Sequence, residues 1–212
     1  MFDIETTMRE LSRDRPLFHS EADFQHALAW RIHKAMPDCG VRLEYRPFSD
    51  QRMYVDLWLA GYGVAVELKY RTRMFTHMHD GESFALRNQA ANPVQRYEYL
   101  KDIQRLERLS GLPEARAGFA ILLTNDDLYW KEPETAYDQT IDSALRLHEG
   151  QRLEGKMAWS ERASAGTRKG REPPILLSGS YKARWRNYAA INGQPFGEFR
   201  YLAIRTDFGI KR

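Results

Sequence analysis

The sequence contains little cysteine and no long apolar segment. Cys39 is the single cysteine among 212 residues, which excludes a disulfide within the chain and a zinc site made from cysteines. A lone cysteine is also typical of proteins in a reducing compartment. No run of about 18 apolar residues occurs, so the sequence predicts no transmembrane helix. Residues 1–5 lack the basic and apolar parts of a secretory signal. We therefore expect a cytoplasmic protein without a membrane partner.

Familiar hydrolase motifs are missing as well. The chain has no G-x-S-x-G turn, no recognisable Cys/His nucleophile pair and no complete G-x-G-x-x-G loop, which disfavours the hydrolases built on them. The segment from His77 to Asp80 lacks the further histidine of an H-x-H-x-D-H metal site. Apolar content of 42% and aromatic content of 12% are typical of a globular chain. The length predicts one domain over residues 1–212.

Charge is unevenly spread along the chain. Residues 151–212 hold 13 Lys and Arg against 5 Asp and Glu, a net charge of +8. Residues 1–150 hold 19 against 24, a net charge of −5. The basic part, a predicted β-rich C-terminal extension, is either a surface that faces phosphates or an ordinary solvated surface.

The stretch from Tyr54 to Tyr70 is the strongest local pattern. Two β-rich segments flank Gly61-Tyr62-Gly63, which predicts a hairpin. Side chains alternate along a strand, so Glu67 and Lys69 share one face of the second segment. A two-residue turn at Gly61 and Tyr62 pairs Ala60 with Gly63 and places Asp56 directly opposite Glu67. Any even loop length keeps these three charged residues on one face.

Two carboxylates that lie this close repel each other, and they should share a proton or a cation. A hard divalent ion such as Mg²⁺ prefers oxygen ligands and suits the pair. With Lys69 beside the metal, the set fits phosphodiester hydrolysis, because metal and lysine both stabilise phosphate charge. The alternative is the charged solvent face of an ordinary hairpin.

Asp56 followed by Glu67-Leu68-Lys69 resembles the core of the PD-(D/E)xK, or restriction-endonuclease-like, nucleases. Val55 stands where that superfamily has its proline. The resemblance covers about residues 20–130 and implies an α/β fold whose mixed central sheet is flanked by helices. It also implies Mg²⁺-dependent cleavage of DNA, with Mn²⁺ as a substitute. Asp56, Glu67 and the Leu68 carbonyl would hold the metal, and Lys69 would orient the attacking water.

The resemblance implies two further site residues on helices. Such nucleases tend to carry a glutamate on a helix before the hairpin, and Glu21 occupies that place, from which it could act on the metal through water. Alternatively, Glu21 only stabilises the start of its helix. Gln95 and Tyr99 form a Gln-x-x-x-Tyr sequence similar to a motif of the RecB-like branch. Other polar candidates near this helix are Gln89, Lys101 and Asp102.

The remaining patterns predict the other elements. Helices are expected at residues 3–12, 21–36, 94–109 and 138–148, and strands at residues 41–45, 118–123, 175–188 and 199–204. Residues 71–84 read as a polar, irregular loop. Residues 151–174 read as a loop that is either mobile or ordered by DNA.

Basic residues beyond the hairpin are candidates for contacts with DNA. Arg71 and Arg73 follow the Glu-Leu-Lys segment and could meet phosphates. Lys182, Arg184 and Arg186 share one face of a predicted strand, where they could track a phosphate backbone or protect a sheet edge from pairing. We therefore expect a deoxyribonuclease of the restriction, repair or defence type. The alternative is an inactive nucleic-acid-binding module of the same fold. A homodimer is compatible with either function.

Overall fold

A computed structural model describes residues 2–89, 91–134 and 139–208. The helices in these residues are α1 (Ile4–Asp14), α2 (Glu21–Ala35), α3 (Asn92–Glu107) and α4 (Ala165–Arg168). The strands are β1 (Val41–Tyr45), β2 (Val55–Leu59), β3 (Val64–Arg71), β4 (Phe75–His79), β5 (Glu82–Leu86), β6 (Ala117–Thr124), β7 (Arg152–Met157), β8 (Ile175–Lys182), β9 (Trp185–Ala190) and β10 (Glu198–Asp207).

A six-stranded sheet in the order β1-β2-β3-β6-β10-β9 forms the centre of the molecule. Strands β3 and β6 run parallel, in register from Val64 with Ala117 to Arg71 with Thr124. The other neighbours are antiparallel. The predicted mixed α/β fold, with a mixed central sheet between helices, is therefore confirmed. Strands β9 and β10 carry the C-terminal residues into this sheet, whereas β7 and β8 form a separate pair.

Helices α2 and α3 cover opposite faces of the sheet because each presents an apolar stripe to it. On one face, Phe24, Leu28 and Ile32 of α2 belong to a buried cluster with Val66 and Leu68 of β3. On the other face, a second cluster contains buried residues of α3, β2, β3 and β6, among them Leu100, Ile103, Leu106, Trp58, Ala65, Ala120 and Leu122. The parallel strands β3 and β6 are thus buried on both sides, which their near-continuous apolar sequences predict.

Gly118 allows α3 to lie close to β6. A Cβ atom at this position would stand 2.5 Å from the Thr206 hydroxyl and 3.0 Å from the Leu106 side chain. Only glycine leaves room for that contact without displacing a neighbour. The β7–β8 pair packs against the outer side of α3, where the Glu107 carboxylate accepts hydrogen bonds from the Ser178 and Gly179 amides at 2.9 and 2.7 Å.

Several predicted elements are confirmed. Helix α2 begins after Ser20, whose side chain accepts a hydrogen bond from the Asp23 amide at 3.1 Å. Asp23 does not complete a capping box with Ser20, because its carboxylate accepts from the His19 amide instead. The predicted helix at 94–109 is α3 together with a 3-10 turn at Arg108–Gly111. The predicted strands at 41–45, 118–123 and 199–204 are β1, β6 and β10.

Two predicted loops are wrong. Residues 71–84 contain most of the β4–β5 hairpin, which turns at Asp80 and Gly81 with φ of 48° and 81°. An Asp-Gly pair is a strong hairpin signal, but the polar sequence around it hid the strands. Residues 151–174 contain β7 and the short helix α4.

Three local details also differ from the sequence prediction. The strand at 175–188 is divided at Ala183 and Arg184 into β8 and β9, which belong to different sheets. Of the helix predicted at 138–148, residue 138 lies outside the described residues, and residues 139–148 contain a 3-10 turn at Ser143–Leu145 rather than an α-helix. The β2–β3 turn covers residues 60–63 rather than Gly61 and Tyr62 alone, and its glycine with positive φ is Gly63, at 61°.

No helix within the described residues is both long and apolar enough to span a bilayer.

Candidate active site

The β2–β3 register places Asp56 opposite Glu67. Leu59 pairs with Val64, Trp58 with Ala65 and Leu57 with Val66, and the next step of that register is Asp56 with Glu67. Asp56 lies at the start of β2, and its Oδ2 accepts a hydrogen bond from the Leu68 amide at 2.5 Å. The register derived from the sequence is therefore confirmed. It holds because the β2–β3 turn keeps the even length that the sequence suggested.

Glu67 is the most deeply buried acid of the cluster, with a side chain 2% exposed. Its Oε1 lies 3.1 Å from Nη2 of Arg105, yet it has no well-directed hydrogen bond. Burial and the nearby Asp102 carboxylate raise the pKa of Glu67 well above its usual range. A buried acid of this kind requires a proton or a cation.

Asp56 is less buried than Glu67, and several of the same neighbouring charges act on its carboxylate. Burial raises the pKa of Asp56 to about 6, although the hydrogen bond from the Leu68 amide and the charge of Lys69 act in the opposite direction. The carboxylates of Asp102 and Glu21 add to the increase. Each acid therefore disfavours the ionisation of its neighbours, which is the behaviour of a cluster that gains from a cation.

Lys69 extends from β3 towards α3. Its Nζ lies 2.7 Å from Oδ2 of Asp102 and donates a hydrogen bond to the Leu68 carbonyl at 3.3 Å. Burial alone would lower the pKa of Lys69, but the carboxylates of Asp102, Glu21 and Asp56 outweigh it and the pKa is raised. Lys69 therefore stays protonated and brings a fixed positive charge to the cluster.

Glu21 reaches the site from the opposite face of the sheet. Its Oε2 accepts hydrogen bonds from the Tyr70 amide at 2.8 Å and from Arg71 Nη1 at 2.7 Å. The Nε of Arg71 donates to Oε1 of Gln95 at 2.6 Å. These contacts join the first turn of α2 to the first turns of α3 across the end of β3. Arg71 thus connects Glu21 to Gln95 beside the hairpin.

The other basic candidates do not join this cluster. Arg73 follows β3, and its guanidinium lies 4.9 Å from the ring centroid of Phe196. Lys182 and Arg184 are exposed at the junction of β8 and β9. Arg186 lies on β9, the terminal strand of the described sheet, and pairs with Glu5. Two strands separate β9 from β3, a distance of roughly 14 Å at the usual strand spacing.

Two residues of α3 complete the cluster. Asp102 was one of several polar candidates, but its pairing with Lys69 was not predicted, and Arg105 was not predicted at all. The sequence does carry a signal: Gln95 and Asp102 are seven residues apart, with Arg105 three further on. That spacing places all three on one side of a helix. Of the other candidates, Gln89 bonds to the Thr72 backbone and Lys101 lies 3.9 Å from Glu98.

The oxygen atoms of the cluster suit a hard divalent cation. In the part of the chain that the structure describes, no three His, Cys, Asp or Glu side chains are arranged to hold a metal by themselves. The available ligands are the carboxylates of Asp56 and Glu67 and the Leu68 carbonyl. Because Oε1 of Glu67 is buried without a directed hydrogen bond, this set fits Mg²⁺ or Mn²⁺. In the structure, the positive charge next to these carboxylates comes from Lys69 and Arg105.

Comparison with known proteins adds no assignment. No protein-family description, no curated protein and no solved structure matches this chain significantly.

Proposed function

We propose that this protein is a Mg²⁺-dependent deoxyribonuclease with a restriction-endonuclease-like core. The observation that carries the proposal is the placement of Asp56 opposite the buried Glu67, with Lys69 on the same face of β3. An acid pair beside a protonated lysine provides both the ligands for a metal and a donor for a phosphate oxygen.

The order of elements around the hairpin supports this proposal. A helix that carries Glu21 precedes the hairpin, a helix with inward polar residues follows it, and the buried strand β6 comes next. That is the order which the resemblance to the PD-(D/E)xK nucleases implies. The cluster also lies near the carboxyl end of the parallel strand β3, the edge where open α/β sheets usually bind ligands.

Each residue would have a distinct role in cleavage. Asp56, Glu67 and the Leu68 carbonyl would hold the metal, which would supply an activated water and stabilise charge on the phosphate. Lys69 would donate a hydrogen bond to the attacking water or to the phosphate, with Asp102 fixing the position of its ammonium group. Glu21 would hold the Tyr70 amide and Arg71, so that the end of β3 keeps its geometry.

One observation favours the alternative of an inactive nucleic-acid-binding module. Lys69 is paired with Asp102 and Glu67 with Arg105, so the charges of the cluster already have partners within the protein. A fold that has lost turnover could retain such a network for structural reasons alone.

A cleavage assay on purified protein separates these functions. Circular and linear DNA would be incubated with Mg²⁺, with Mn²⁺ and with a chelator. We expect cleavage that needs the metal, loss of cleavage in Asp56→Asn, and normal cleavage in Asp50→Asn, which alters an exposed loop acid. DNA binding without cleavage under any divalent metal would support the binding module instead.

A further inference from the structure

Arg105 occupies an unusual position between the cluster and the solvent. Its Nη2 lies 3.1 Å from Oε1 of Glu67, and its Nη1 lies 3.1 Å from Oδ1 of Asp102. Nη2 also donates a hydrogen bond to the Tyr54 carbonyl. The Arg105 side chain is 27% exposed, whereas that of Glu67 is 2% exposed. The Arg105 side chain therefore lies between the buried Glu67 carboxylate and the solvent.

The contact between Arg105 and Glu67 is the weaker of its two carboxylate contacts. Oε1 of Glu67 receives no directed hydrogen bond, whereas Nη1 of Arg105 donates one to Asp102. The guanidinium would keep its contacts with Asp102 and Tyr54 if Glu67 gained another partner. Arg105 thus has a fixed anchor and one contact that it can give up without leaving its place.

A divalent cation and Arg105 would compete for the same oxygen. Glu67 is the buried acid that requires a positive partner, and within the described network Arg105 is the cation closest to it. Two positive groups on one carboxylate repel each other, more strongly in a buried site than in water. A metal held by Asp56 and Glu67 would therefore weaken the contact between Arg105 and Glu67.

We infer that Arg105 is a resident counter-ion of Glu67 which yields Oε1 to a divalent metal, so that it sets the metal affinity of the site. The inference rests on the proposed function, since it requires the metal to bind at Asp56 and Glu67. Arg105 then remains attached to Asp102 beside the metal. Arg105 is therefore a positioning residue, and its effect on metal binding does not depend on DNA.

Binding of Mn²⁺ alone, without DNA, tests this role. Free Mn²⁺ would be followed by electron paramagnetic resonance in titrations of metal-free wild type, Arg105→Gln and Arg108→Gln. Arg108 is the matched control because it lies three residues further on, is exposed, and bonds to Gln51 rather than to the cluster. Both variants lose one positive charge. We expect about tenfold tighter Mn²⁺ binding in Arg105→Gln, from the loss of one competing charge, and wild-type affinity in Arg108→Gln.

Further variants test whether the change in affinity depends on the contact between Arg105 and Glu67. Arg105→Lys keeps the charge but replaces two nitrogens, which face Glu67 and Asp102 separately, by one nitrogen on a shorter side chain, so its affinity should lie between those of wild type and Arg105→Gln. If Arg105→Gln does not fold without metal, this variant carries the test. Adding Glu67→Gln to Arg105→Gln or to Arg105→Lys should remove the gain in Mn²⁺ affinity, since the ion would lose its buried ligand. Thermal unfolding with and without Mn²⁺ gives a second readout, because tighter binding raises the midpoint further.

The outcomes distinguish the inference from the function on which it depends. If wild type binds Mn²⁺ and neither Arg105 variant binds it more tightly, Arg105 is a structural ion pair and the inference is overturned while the metal site stands. A gain that persists after Glu67→Gln also overturns it. If wild type, Arg105→Gln and Arg105→Lys bind no Mn²⁺ at millimolar concentration, the proposed metal site itself fails, and the inference fails with it.

Discussion

Half-buried Lys69 and buried Asp102 form an ion pair, with Nζ 2.7 Å from Oδ2, that connects the candidate active site to helix α3. The pair explains why Lys69 stays charged where much of its side chain is removed from water. It also gives the lysine a structural role alongside any role in cleavage, so the two must be separated in an experiment.

A pair of variants separates these roles of Lys69. Lys69→Met removes the charge and leaves the buried Asp102 with Arg105 as its remaining ion-pair partner, which should destabilise the fold by about 1–3 kcal/mol. Lys69→Met combined with Asp102→Asn removes both charges and should regain most of that stability. Thermal or urea unfolding measures both effects. Equal stability of the single variant and wild type would contradict the pairing.

The double variant Lys69→Met with Asp102→Asn should regain stability without regaining DNA cleavage. If Lys69 stabilises the transition state, its loss should lower the cleavage rate by roughly 10²–10³. DNA affinity should change little, since one charge among many is lost. A double variant that is stable and cleaves like wild type would show that Lys69 serves the fold alone.

The acid pair should make metal-free stability depend on pH. Because the folded-state pKa of Asp56 is raised to about 6 from 3.8, its contribution to stability is full below the unfolded pKa and is lost as pH rises through the folded value. Metal-free Asp56→Asn, which can still accept the Leu68 hydrogen bond, should therefore be more stable than wild type near neutral pH by roughly 1–3 kcal/mol.

The stability difference between Asp56→Asn and wild type should shrink as pH falls from about 7 to about 4. Urea unfolding across this range measures it, with the exposed Asp50→Asn as the control for the loss of one negative charge. A difference that stays constant with pH would show that Asp56 is not held at a raised pKa.

Lys182, Arg184 and Arg186, on β8, β9 and the junction between them, provide a test of where DNA binds. Strand β9 is the edge of the described sheet and Arg186 is already paired with Glu5, which favours protection of the edge over contact with phosphates. Replacing Lys182, Arg184 and Arg186 by alanine should therefore leave DNA affinity and its salt dependence unchanged, and should increase aggregation. A salt slope reduced by about 0.9 for each lost contact would place the DNA on this strand instead.

Local sequence patterns were sufficient for the centre of the site. Strand alternation and an even turn placed Asp56 opposite Glu67, because a shift by one residue would move Asp56 to the other face of the sheet. The same kind of signal was missed at Asp80-Gly81, where the polar strands β4 and β5 show little apolar alternation.

Contacts between distant segments could not be predicted in this way. Arg105 lies 38 residues beyond Glu67 in the sequence, and its contact with that acid depends on how α3 crosses the sheet. The helix can be predicted from its spacing, but its rotation and height over β3 depend on packing features such as Gly118 against Leu106. The connection of Glu21 to Gln95 through Arg71 has the same origin, since it spans both faces of the sheet.

In the proposed active site, Asp56 holds a catalytic metal and Lys69 acts beside it. The most direct test is the rate of DNA cleavage as a function of Mn²⁺ concentration for wild type, Asp56→Asn, and the double variant Lys69→Met with Asp102→Asn. We expect metal-dependent cleavage by wild type, partial rescue of Asp56→Asn by excess Mn²⁺, and no rescue of the double variant. Wild-type cleavage that is unaffected by a chelator, or variants that follow the wild-type curve, would show that these residues do not form the active site.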